Sequence, residues 1–232
     1  MSQHQMGSVQ MHVSKAVATR RSVRAFLDKP VDPAVIRRLI EQAGRAPSGG
    51  NLQPWHIYVV TGAPLAQLKT LMEEKIASHP KGEGSEFNIY PPELEGVYAD
   101  RRVKIGEAMY NGLAIARDDR AGRRMWFNRN YRFFDAPVGL FCFIERYMGP
   151  PQWSDMGMYL QTLMLLLREE GLDSCAQECW ALFHNTISTF VQAPDHHMLF
   201  CGLAIGYRDP DHAANNFPSE RAALEEFATF IG

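Results

Sequence analysis

The ten residues Ala46-Pro47-Ser48-Gly49-Gly50-Asn51-Leu52-Gln53-Pro54-Trp55 separate a segment of helical periodicity from one of strand composition, and they have the make-up of a binding loop. The adjacent glycines let the backbone reach positive φ and approach a ligand closely, while Pro47 and Pro54 stiffen the ends. Ser48, Asn51 and Gln53 supply short donors and acceptors, and Trp55 a flat face with one N–H. The same residue types would also suit an ordinary helix-to-strand turn, so the flanks matter.

Upstream, Asp32-Pro33 is a helix start, with Asp as N-cap, Pro at the first position and Val31 set to staple against Ile36. Ile36, Leu39, Ile40 and Ala43 form one apolar stripe and Gly44 ends it, so this helix feeds the loop directly. Before it, Arg20-Arg21-Ser22-Val23-Arg24 sets three guanidiniums and a hydroxyl within five residues. Such a run can clamp a phosphate, because Arg offers a planar fork of donors and keeps its charge; it can also be a solvated basic turn. Downstream, His56 to Val60 reads as a β-branched and aromatic strand closed by Thr61-Gly62.

Working outward, Val13, Ala16 and Val17 predict a helix ending near Thr19, and Leu65, Leu68, Met72 and Ile76 a helix opened by Pro64. Residues 79–98, rich in Pro, Gly and Glu, have no sustained period and are expected as an excursion or lid over a site or a dimer surface. Helices follow over residues 103–117, with Val103, Gly106, Tyr110, Leu113 and Ala114 inward, and over 121–128. Val138 to Glu145 and Met198 to Gly206 are continuous apolar runs, the mark of strands buried on both faces. Residues 155–170 form the strongest helix, whose Met156, Leu160, Leu163, Met164 and Leu167 suit the centre of the fold. Leu172 to Trp180 is expected as a loop or short turn, and His184 to Val191 as a helix. The tail should end in a short amphipathic helix carrying Leu224, Phe227 and Ile231. With no repeat and no linker, residues 1–232 read as one α+β domain whose first eleven residues are disordered.

The composition, 46% hydrophobic and 22% charged with a formal net charge of −2, is that of a soluble globular protein. It gives no reason to expect nucleic acid or an anionic membrane as partner. No apolar run nears the ~18 residues a membrane helix needs, and the start lacks a signal pattern, so the expected location is cytoplasmic. Four cysteines are too few for a disulfide scaffold. Cys142 and Cys201 fall in apolar strands, while Cys175 and Cys179, with His184 downstream, lack a second ligand pair and read as core or pocket-lining thiols with no metal. There is no G-x-G-x-x-G after a strand, no phosphate-binding P-loop and no nucleophile elbow, so neither a Rossmann unit nor serine-hydrolase chemistry is supported.

Taken together, Arg20 to Arg24, the helix from Asp32, and Ala46 to Trp55 leading into His56-Ile57-Tyr58-Val59-Val60-Thr61-Gly62 resemble the flavin-dependent nitroreductase family. The likeness continues through Tyr131-Arg132-Phe133-Phe134-Asp135-Ala136-Pro137, the 155–170 helix, Gly171-Leu172-Asp173-Ser174-Cys175 and Gly202 to Tyr207. Within that family the chain looks most like the bacterial nitroaromatic and nitrobenzoate reductases. The resemblance implies an intertwined α+β homodimer on a central mixed sheet flanked by helices, with FMN in two clefts at the interface. It implies that Arg20, Arg21, Ser22 and Arg24 hold the phosphate and ribityl end, with Arg221 a second phosphate contact. Pro47, Ser48, Gly49, Asn51 and Gln53 would reach the flavin from the other subunit. Ala176, Gln177 and Glu178 would pass beside the isoalloxazine edge, with the Glu178 N–H directed at N5. Arg132 would set a cation near the pyrimidine side, tuning the flavin, with Asn130 as its neighbour. Pro218 and Ser219 depart from the pattern, standing where relatives commonly carry a basic residue.

The activity implied is hydride transfer from NADH or NADPH to FMN and then to a nitroaromatic, giving nitroso and hydroxylamine products by a ping-pong scheme. A quinone or a halogenated phenol is the alternative acceptor on the same fold. A reading from another class, a non-catalytic flavin-binding or nucleic-acid-binding protein, has the near-neutral net charge against it.

Overall fold

The structure, a computed structural model, describes residues 11–217 and 219–232; the expected disorder of the N-terminal tail falls, but for Met11, outside them. Four strands, β1 (His56–Thr61), β2 (Val138–Glu145), β3 (Asp173–Gln177) and β4 (His197–Gly206), lie in the order β1-β2-β4-β3. All three pairs are antiparallel, so the sheet is not the mixed one expected. Parallel pairing is confined to single bridges, of which Ser22 with Ser174 matters most below.

β2 shows why a continuous apolar run makes a central strand. Leu140, Cys142 and Ile144 point to one face, where they meet Leu39 of α2 (Pro33–Ala43) and Met156, Leu160 and Leu163 of α6 (Pro150–Glu169). Phe141 and Phe143 point to the other, against Phe133, Trp180 and Leu199. On that second face two glycines act as sockets for rings. A Cβ at Gly139 would lie 2.3 Å from the Phe133 ring, and one at Gly202 would lie 2.3 Å from that of Trp180.

The other helices follow their patterns with some shifts. α1 (Val13–Thr19), α5 (Arg120–Asn128) and α7 (His184–Val191) lie where periodicity puts them, and α3 begins at Gly62, two residues early, and runs to Ser78. In α2 the Asp32 carboxylate accepts the Ala34 N–H at 2.8 Å, and Val31 and Ile36 are both buried, so the cap and staple form as read. No helix among the described residues is long and apolar enough to cross a membrane.

Four further expectations need correction. Residues 172–180 contain a strand, β3, because its polar residues find partners: Asp173 is clamped by Arg168 and Arg208, each at 2.8 Å, and Gln177 donates to the Asn130 carbonyl at 2.8 Å. The helix expected over 103–117 is α4 (Gly96–Gly112), and none of its side chains is buried. Val103 is 55% exposed and Ala114 also faces solvent, while Met109, Tyr110 and Leu113 are partly buried against the core, so the inward pattern holds only towards the C-terminal end. The tail forms only a single 3-10 turn, Leu224–Glu226, with Phe227 and Ile231 exposed. Finally, the irregular excursion stops at residue 95, where α4 begins. It is pinned down: the Glu83 carboxylate accepts from the Thr186 hydroxyl at 2.5 Å and amide at 3.0 Å, and the Phe87 ring lies among those of Trp153 and Phe200.

Candidate functional site

After α1 the chain turns extended, and the Val23 N–H donates to the Ser174 carbonyl at 3.0 Å, laying the arginine segment along the free edge of β3. Alternation does the sorting: Val23 and Ala25 are buried, while Ser22 and Arg24 look outward. Arg20, Arg21, Ser22 and Arg24 line a cleft of about 220 Å³ whose other wall is Asn215, Phe217, Ser219 and Arg221, with Ile105 of α4 at its side. The expected phosphate residues, Arg221 included, are therefore brought together from opposite ends of the sequence.

Asn215 is the residue that sequence reasoning missed. It is 2% exposed; its amide donates to the carbonyls of Ala25 and Asp209 at 2.9 and 2.8 Å, and its Oδ1 accepts the Arg24 N–H at 2.8 Å. Its own carbonyl accepts from the Arg21 guanidinium at 3.1 Å. One buried side chain thus sets the course of the arginine segment. Arg24 is also 6.0 Å from the centre of the Phe217 ring. Apart from a resemblance, no signal in His-Ala-Ala-Asn-Asn-Phe marks that role.

The cleft is electrostatically one-sided. Among the described residues no carboxylate pairs with Arg20, Arg21, Arg24 or Arg221, and the guanidiniums of Arg21, Arg24 and Arg221 reach only carbonyl and hydroxyl oxygens. Four adjacent cations without an anion repel one another, so the arrangement favours an anionic ligand with several acceptor oxygens.

From Ser174, which Ser22 bridges, the strand edge continues to Ala176 and Glu178, roughly 7 to 13 Å further on. Ala176 and Glu178 are exposed and Gln177 is buried. The Gln177 amide is engaged inward, donating to Asn130 and accepting from the Trp180 indole N–H at 3.3 Å, so only its main chain faces out. Surrounding protein partly desolvates the Glu178 carboxyl and raises it above the usual carboxylate range, although the side chain still reaches water. Burial raises the Cys175 thiol too, partly offset by Arg24, the Ser22 hydroxyl and Arg20. Arg132 is held by Glu73 and by Asp135, the latter at 3.3 Å. Just after it, Phe133, Phe134 and Asp135 are all left-handed, with φ of 53°, 52° and 65°. Such residues store about 1 to 3 kcal/mol each and persist only where the surroundings enforce them.

The 46–55 loop is shaped from below by α6. Both oxygens of buried Asp155 lie 3.3 Å from the Gly49 N–H, Ser48 Oγ accepts the Gln53 N–H at 3.0 Å, and Trp55 stacks on Tyr159 with centroids 5.0 Å apart. Gly50, Asn51 and Gln53 take positive φ, so the loop is kinked as its glycines suggest. Gly49, Gly50 and Asn51 remain exposed. None of Pro47, Ser48, Gly49, Asn51 or Gln53 lines the arginine cleft of the same chain. His184, near Cys179 in sequence, turns instead to Glu86, 3.4 Å away.

The nitroreductase family model matches residues 17–207. A crystal structure of the FMN and NADPH-dependent nitroreductase NfnB from Sphigopyxis sp. strain HMH superposes with a TM-score of 0.93 at 49% identity, covering 96% of this chain and 100% of that one. The 4-nitrobenzoate reductase of Pseudomonas putida is 37% identical over 93% of this chain and 94% of its own length. The chloronitrobenzene nitroreductase of Comamonas testosteroni is 34% identical over 94% and 96%.

Proposed function

The chain belongs to the nitroreductase family, and on that premise we propose that it is an FMN-dependent oxidoreductase that uses NADH or NADPH to reduce nitroaromatic compounds. The observation that carries this reading is the cleft in which Arg20, Arg21, Arg24 and Arg221 converge with no carboxylate among them. A phosphate monoester, with nearly two negative charges and three acceptor oxygens, matches that donor set. FMN, when bound, supplies the redox chemistry.

The chain's own residues do the rest. Arg20, Arg21, Ser22, Arg24 and Arg221 would anchor the phosphate and ribityl end, and the main chain from Ala176 to Glu178 would run beside the ring edge. Gln177 would act inward, holding Asn130. Arg132, oriented by Glu73 and Asp135, would aim guanidinium N–H donors at the pyrimidine side and so favour an anionic reduced ring by hydrogen bonding, its net charge being offset by the two carboxylates. Pro47, Ser48, Gly49, Asn51 and Gln53, remote from the cleft of their own chain, would form the opposing wall of a second copy's site, making a homodimer with shared sites. We read residues 1–232 as one FMN-binding domain working in the cytoplasm. Relatives named for 4-nitrobenzoate and chloronitrobenzene support a nitroaromatic acceptor over a quinone.

Steady-state turnover with NADPH and 4-nitrobenzoate tests the reading. Nicotinamide oxidation should accompany loss of the nitro group, and double-reciprocal plots at several acceptor concentrations should be parallel because donor and acceptor take turns. Intersecting lines would contradict the alternating scheme, and turnover of a quinone without turnover of any nitroarene would overturn the acceptor.

A further inference from the structure

Three adjacent strands, β1, β2 and β4, terminate together at one end of the sheet. His56 is the first residue of β1, Glu145 the last of β2 and His197 the first of β4. Glu145 stands directly across from His197, and His56 across from Phe143, two residues from Glu145 and so on the same face. This end of β4 lies eight residues, roughly 26 Å, from Ile205, the cross-strand partner of Ser174.

One oxygen of Glu145 lies 3.6 Å from His197 Nε2 and 3.9 Å from His56 Nε2. One ligand-type atom from each of the three residues lies within 4.8 Å of the other two. These distances exceed a good hydrogen bond. Around a tetrahedral zinc ion with bonds of about 2.0 to 2.2 Å, ligand atoms stand roughly 3.4 Å apart; the His56 and His197 rings are stacked, with centroids 3.9 Å apart and planes at 27°, so His56 must also swing out of the stack for both nitrogens to converge on one ion. His56 and Glu145 are only part buried, at 39% and 21% side-chain exposure, and can make that adjustment. We propose that His56, Glu145 and His197 form a binding site for a divalent transition-metal ion, best matched to zinc, that clamps the ends of β1, β2 and β4.

Two unmet demands in the metal-free arrangement support the site. His197 is 6% exposed, its Nδ1 has no hydrogen-bond partner, and its Nε2 has only the distant carboxylate. A buried imidazole without a hydrogen bond from either nitrogen is costly. Among the described residues, the basic groups within 4 Å of the Glu145 carboxylate are imidazoles: His56, His197 and His196, the last at 3.7 Å. Arg146, the adjacent cation, is directed to Glu86 and to the Asp195 carbonyl. Two imidazoles and a carboxylate are a ligand set zinc accepts, leaving the fourth position to water. His56 and His196 are solvent-accessible, so an ion has a way in.

The test is a cobalt titration of the full purified chain, stripped with a chelator and free of any purification histidines. One equivalent of Co²⁺ should give the intense visible d–d absorption of a low-coordinate site, and Zn²⁺ should displace it. In Glu145→Gln and in His56→Gln, both at part-exposed positions, affinity should fall tenfold or more while the circular dichroism of the metal-free chain is unchanged. Zn²⁺ should also raise the melting temperature of the parent chain and not of Glu145→Gln. An absent d–d band would overturn the proposal. So would a band that survives both substitutions, because the ion would then sit elsewhere.

Discussion

Asn215 shows how much of a binding cleft can rest on a side chain that faces away from it. Its three hydrogen bonds, to Arg24, Ala25 and Asp209, are all to main-chain groups of segments that no periodicity connects. In Asn215→Ala the Arg24 N–H and the Asp209 carbonyl lose this partner, at about 1 to 3 kcal/mol for each one left unsatisfied, while the Ala25 carbonyl keeps the Asp209 N–H at 3.0 Å. The expected outcome is a lower melting temperature together with weaker FMN retention, read by flavin fluorescence titration. A variant as stable and as retentive as its parent would remove Asn215 from the account. The position was not legible in the sequence, because its partner Ala25 is 190 residues away. Arg20 to Arg24 was legible as a candidate, since the chemistry is packed into five consecutive residues. Between the two readings the sequence alone left open, clamp or solvated turn, the convergence of Arg221 on the same cleft favours the clamp that we propose.

The elements that were easiest to read are those whose burial is uniform. β2 is buried along nearly its whole length, and the stripe on α2 meets α6, so pattern and packing agree. β3 was missed because its burial is achieved by polar pairing, through Asp173 with Arg168 and Arg208, which no hydrophobic pattern announces. α4 fails in the opposite sense: Met109 and Tyr110 pack on the core near its end, but Val97, Tyr98 and Val103 are apolar and exposed. The excursion before α4 carries its own pH dependence. Burial raises the Glu83 carboxyl, but the Thr186 hydroxyl and amide, with Lys75, outweigh it and hold the group below the ordinary glutamate value of 4.5. A depressed carboxylate stabilises the folded state above its unfolded pKa and stops doing so as pH falls through the lower folded value. Hydrogen exchange at residues 82–86 should therefore accelerate as the pH is taken from neutrality to below 4.5, after correction for intrinsic rates, and Glu83→Gln should abolish that step. An identical profile in the variant would show that Glu83 is not the anchor.

At the scale of the whole molecule, the arginine cleft and the 46–55 loop, which we propose as the two walls of one site, do not meet within one chain. If a second copy joins them, Arg21→Ala and Asn51→Ala should complement each other. A doubly tagged mixed dimer would carry one site with both defects and one with neither, and should regain close to half the parent activity, whereas an average of the two weak parents would show that the sites are not shared. Beneath that lies the claim on which everything else depends, that four unpaired guanidiniums exist to hold the phosphate of FMN. Titrating the flavin-free chain with FMN and with riboflavin, which differ only by that phosphate, tests it most directly. If even two charge-assisted hydrogen bonds of about 1.5 kcal/mol each are made, FMN should bind at least roughly a hundredfold more tightly. Equal affinity for the two flavins would contradict the account.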